Sequence, residues 1–149
     1  MHISKDLSEF LFRLLFCTIF IGLGAEHLFS DTLLRELMPL WVPFPRGISI
    51  LCGVWLVGWG SLIFLGWHLR WAATALAAFL VVVTLVVHAP GILSRPDGVA
   101  QNCAVFWDIL QRSNLVKNIC LLGVCFHLLH HEPGRYSLQS YLAKGSPAS

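Results

Sequence analysis

Seven polar side chains stand inside or at the edges of otherwise apolar stretches, and they are the chain's candidates for chemistry. Glu26 and His27 are adjacent near the end of the first stretch, His88 closes the third, and Lys117 and Asn118 open the fourth. Arg13 and His127 are secondary candidates, near the opposite ends of the first and fourth stretches. An ionisable group at the centre of a membrane helix costs about 3 kcal/mol on insertion scales, so each is read first as functional. Imidazoles grouped with a carboxylate and an ammonium can take up, hold and release protons. Each residue also has a plainer reading. Arg13 and Lys117 lie about a turn from a helix end and can extend to the headgroups. His27 and His88 can bond to loop carbonyls. Glu26 is harder to dismiss, because a carboxylate there must meet water, a partner or a proton.

These residues act together only if the elements carrying them bring them to one depth. A bilayer crossing takes about 20 apolar residues, and four stretches approach that length: about 10–29, 47–66, 71–88 and 115–129. Hydrocarbon offers no water to backbone groups, so each is expected to be an α-helix. Residues 67–70 form a short turn between the second and third. Pro39, Pro43 and Pro45 rule out a continuous helix after the first, and Leu33, Leu34, Leu37, Met38 and Trp41 suggest a loop lying over the helices. Residues 89–112 read as a polar loop with Pro90, Pro96, Asp97 and Gly98, in which Ala104 to Leu110 can form a short interfacial helix. The expected fold is all-α, an antiparallel four-helix transmembrane bundle over residues 1–131 with a proline-rich loop after helix 1. Residues 132–149 are a polar, frayed tail. In this topology Glu26, His27, His88, Lys117 and Asn118 share the end away from the termini, while Arg13 and His127 share the other.

Composition supports a membrane protein. Apolar residues make up 56% of the 149, against about 45–50% in soluble domains, and charged residues 12%, against about 25%. Mean hydropathy is +0.72. The ten basic residues are scattered, with no patch for nucleic acid and no polybasic anchor. Five cysteines without CxxC spacing suggest neither a disulfide framework nor a zinc site, and no metal site is expected. A cleaved signal peptide is the rival reading of the first stretch, since Gly22, Gly24 and Ala25 are small. Asp6, Glu9 and Arg13 weigh against it. Basic residues divide equally between the two sides, so charge gives no orientation; cytoplasmic termini are the working choice. Glycines in the second stretch and alanines in the third serve close helix packing.

The chain resembles the DoxX/DoxD-like family of small bacterial four-helix membrane proteins. The resemblance rests on FRLLFCTIFIGLGAEHLFSD (12–31), on MPLWVPFP (38–45) with ISILCGVWLVGWGSLIFLG (48–66), on RWAATALAAFLVVVTLVVHAPG (70–91), and on LVKNICLLGVCF (115–126). It departs from many relatives in helix 2, where Val54, Trp55 and Leu56 replace an acidic residue. The resemblance implies a multi-pass protein of the bacterial inner (cytoplasmic) membrane. It further implies a redox association, because some members resemble the membrane subunit of a thiosulfate:quinone oxidoreductase.

Two functions follow as expectations. The first is a redox-associated, quinone-linked membrane subunit, in which Glu26, His27 and His88 handle protons and Lys117 tunes their charge. A quinone suits an apolar cleft with a few polar groups. Haem held by two histidines is the lesser cofactor option, given no CxxCH motif. The second function is a non-catalytic anchor or assembly protein. Expected partners are the lipid bilayer, a soluble or membrane oxidoreductase, and a second copy of the chain, but not nucleic acid.

Overall fold

The computed structural model describes residues 3–32, 35, 38, 41–95 and 103–145. Pro39, Leu33, Leu34, Leu37, Pro96, Asp97 and Gly98 of the expected loops fall outside these. The described residues form helices without strands: α1 (Lys5–Phe29), α2 (Pro45–Leu65), α3 (Leu69–Leu93), α4 (Ala104–Leu128) and a short α5 (Leu138–Gly145). The first three are long and apolar enough to cross a membrane.

Local chemistry sets the boundaries. Ser4 caps α1 by accepting the Leu7 N–H at 3.3 Å, and Asp6 in the first turn suits the positive end of the helix. This polar turn extends α1 five residues earlier than the apolar stretch suggests. α1 then buries Arg13, Phe16, Cys17, Phe20 and Gly24 at helical spacing. Pro45 opens α2 with a φ already suited to a helix. Gly66, at φ 65°, closes it: its N–H reaches Ile63 O, and the Trp67 N–H reaches Leu62 O at 3.0 Å, a Schellman arrangement. A Cβ on Gly66 would collide with the Arg13 guanidinium, so both backbone and space require glycine there.

A three-residue turn returns the chain into α3, and Trp55 Nε1 donates to Ala75 O at 3.2 Å across the resulting antiparallel pair. α1 packs along α2, α2 against α3, and α3 against α4. Their core joins Phe16, Phe20, Leu56, Ile63, Leu76 and Leu128. Outward-facing Leu15, Leu51, Leu85 and Ile119 are exposed, as lipid-facing positions would be.

Three departures from the sequence reading matter for function. α3 runs past His88 to Leu93, through a π-helical turn at Thr84–His88. Pro90 has no N–H and its ring crowds the preceding turn, and the wider π-turn lies just before it. α4 begins at Ala104 rather than 115 and is continuous, since residues 104–122 contain no Gly or Pro to break it. Finally, residues 131–137 are tied to α1 rather than frayed. Glu9 Oε2 pairs with His131 Nε2 at 2.6 Å, and Asp6 Oδ1 accepts the Arg135 N–H at 3.0 Å.

Candidate functional site

A cavity of about 410 Å³ opens between α1, α2, α3 and α4 at the end away from the termini, within the range of small-molecule sites. Phe20, Leu23, Leu56, Phe79 and Val83 are among its apolar walls, and Met38 and Val42 bring the loop after α1 against it. Its polar lining is His27, His88, Asn114, Lys117 and Asn118. The structure therefore brings together four of the five principal candidates, and Glu26 is not among them. Glu26 is exposed and does not line the cavity. Adjacent helix residues point about 100° apart, so with His27 turned inward its neighbour faces out.

Both imidazoles are anchored through Nδ1. His88, buried at 8% exposure, has Nδ1 2.8 Å from Gln111 Oε1. A carbonyl oxygen only accepts, so that Nδ1 carries a proton. Ser49 Oγ lies 2.9 Å from His27 Nδ1 and 3.3 Å from His27 O. In both rings Nε2 has no protein partner among the described residues. Lys117 Nζ donates to Asn114 Oδ1 at 2.7 Å, which uses one of its three protons. Among the described residues no carboxylate lies within ion-pair reach of it. Asn118 Nδ2 donates to Thr84 Oγ1 at 3.0 Å, securing the π-turn to α4. Val82, Val83, Val86, Val87 and His88 of α3 all reach the cavity.

The secondary candidates do not join this site. Arg13 is fully buried near the opposite end. It donates to Phe64 O at 2.9 Å and to Tyr136 O, clamping the end of α2 and the C-terminal segment onto α1. It does not snorkel. His127 is exposed and stands edge-on to Phe12, with ring centroids 6.5 Å apart. No hydrogen bond links it to Arg13.

Several supporting residues carried no sequence signal. Ser49 and Gln111 fix the two imidazoles, yet one is a serine in an apolar helix and the other fell in an expected loop. Asp31, 5% exposed, pairs with Arg35 at 3.1 Å and Arg46 at 3.3 Å, fastening the loop after α1 beside the cavity. At the start of α4, Arg95 grips Asp108 through two bonds of 3.0 and 2.6 Å. That hydrogen-bonded guanidinium holds the Asp108 carboxyl below the usual carboxylate range. Among the described residues no three His, Cys, Asp or Glu side chains are grouped as metal ligands.

A family model described as DoxX matches residues 9–89, more than half of the chain. The match takes in α1, α2 and α3 as far as His88, while the α4 wall with Asn114, Lys117 and Asn118 lies beyond it. Neither curated proteins nor solved structures match the chain.

Proposed function

The chain belongs to the DoxX family of small membrane proteins, and on that premise we propose that it is a quinone-linked membrane subunit whose cavity holds the ligand's head group. The observation carrying this reading is the cavity itself: apolar walls, two imidazoles anchored through Nδ1, and an ammonium without a carboxylate partner among the described residues. The fit is chemical as well as spatial. About 410 Å³ accommodates a substituted ring, the apolar lining suits its tail, and the polar groups suit two ring oxygens.

When bound, a quinone supplies carbonyls that take up two electrons and two protons. The chain's own residues provide the rest. Lys117 holds two N–H groups toward an acceptor oxygen and favours negative charge on it. His88 and His27, each carrying a proton on Nε2, give it to a ring oxygen as the electrons arrive, and the bonds to Gln111 and Ser49 keep those rings from turning. Electrons come from a partner oxidoreductase, since the chain carries no nucleotide motif or CxxC pair of its own.

In this reading α4 supplies a fourth crossing through its later, more apolar half. The setting is the cytoplasmic membrane of a bacterium. The non-catalytic anchor remains the second reading, favoured by the way Arg13 and the C-terminal segment hold helices together.

The test is equilibrium binding of a short-chain benzoquinone to the protein in nanodiscs. Binding should saturate, and His88→Ala and Lys117→Met should each weaken it about tenfold, the equivalent of about 1.4 kcal/mol. Undiminished binding in both variants would remove the site from this cavity.

A further inference from the structure

A second cavity, of about 800 Å³, lies at the opposite end of the molecule. One wall is the first turn of α3 with His68, Leu69, Arg70 and Trp71. The other is the segment after α4, including His130 and Glu132. It shares no lining residue with the first cavity.

Charge and depth together identify what it takes. Among the described residues Arg70 makes no ion pair, and its guanidinium is exposed at the cavity. His68 and His130 make no side-chain hydrogen bond among the described residues, whereas His131 is engaged by Glu9. Arg70 is the one permanent cation of the lining and Glu132 its one carboxylate, and no ion pair joins the two. The cavity stands at the ends of the apolar helices α2 and α3, where Trp67 and Trp71 are exposed, 71 at 70%. Exposed tryptophans at helix ends mark headgroup depth. An anion at that depth, beside a planar fork of N–H donors, is a phosphate. Leu69, Trp71 and Leu129 supply an apolar flank for the glycerol and first methylenes of a lipid.

The second wall is already ordered. Arg13 holds Tyr136 O, Glu9 holds His131, and Asp6 holds the Arg135 N–H, so the segment does not have to be arranged by the ligand.

We propose that this cavity binds the phosphate of an anionic phospholipid headgroup, with Arg70 as its principal contact. The experiment is native mass spectrometry of the full chain released from micelles containing equal phosphatidylglycerol and phosphatidylcholine, with and without excess inorganic phosphate. The wild-type protein should retain one phosphatidylglycerol in preference to phosphatidylcholine. Arg70→Gln, a change at an exposed side chain, should reduce that preference about fivefold, the effect of about 1 kcal/mol per basic residue at an anionic surface. Arg112→Gln, at the other end, should leave it unchanged. Retention that survives inorganic phosphate assigns the site to the lipid, and displacement by it assigns the same phosphate chemistry to a soluble source. Equal retention of both lipids, or an equal loss in Arg70→Gln and Arg112→Gln, would overturn the proposal.

Discussion

The two ends of this molecule treat buried polar groups in opposite ways. Near the termini, Arg13 is completely buried and its guanidinium is committed to backbone carbonyls of α2 and the C-terminal segment. Gly66 is shaped to admit it, and Asp6 and Glu9 fasten the same segment. At the far end, His27, His88 and Lys117 use one hydrogen bond each on the protein and keep capacity toward a cavity. The contrast gives a criterion for intramembrane polar residues that residue type alone does not. A group whose bonds tie several elements together in a closed core holds the fold; a group with spare capacity facing a cavity is available to a ligand.

This comparison can be broken by substitution. Arg13→Ala removes two charge-assisted bonds, each worth about 1.5–3 kcal/mol, and should be the most damaging change. Chemical unfolding in mild detergent should show a loss of about 3 kcal/mol or more. Quinone affinity per folded molecule should stay as in the wild type. Gly66→Ala places a Cβ against the same guanidinium at a left-handed φ, and a loss of about 1–3 kcal/mol is expected in the same assay. At the far end the pattern should invert. His88→Ala leaves the buried Gln111 carbonyl unpaired, costing about 1–2 kcal/mol of stability, while ligand affinity falls about tenfold. Stability and affinity falling in proportion in both sets of variants would erase the distinction between the ends.

Two smaller effects sharpen it. Glu26→Gln changes an exposed side chain outside the cavity and should leave ligand affinity within a factor of about two, since surface changes usually stay within about 0.5 kcal/mol. The smallest effect concerns Asp108. Its carboxyl is held below its ordinary range in the folded protein, so the Arg95 pair contributes fully above about pH 4 and is lost as pH falls through the lower folded value. The pair is solvent-exposed, so Asp108→Asn should lower the unfolding midpoint only slightly at pH 7, with the difference disappearing in acid.

Depth along the membrane was legible in the sequence, because antiparallel counting from apolar stretches puts His27, His88, Lys117 and Asn118 at one end. Facing was not. Glu26 and His27 share a depth but differ by about 100° around the helix, and only packing decides which turns inward. The early start of α4 was hidden because Asp108, Gln111 and Arg112 break the apolar pattern without breaking the helix. The π-turn at Thr84–His88 leaves no composition signal. Nor does a sequence disclose that Arg13 meets the carbonyl of Tyr136, since a backbone acceptor has no residue type.

The central claim is that the far-end cavity, and not the lipid-facing surface, takes the quinone. Photolabelling of the protein in nanodiscs with an azido-quinone, followed by peptide mapping, tests it directly. Label confined to residues 19–27, 79–88 and 110–121, and competed away by unlabelled quinone, is the predicted result. Label spread over outward-facing positions such as Leu15, Leu51 and Phe126, and indifferent to competitor, would contradict it.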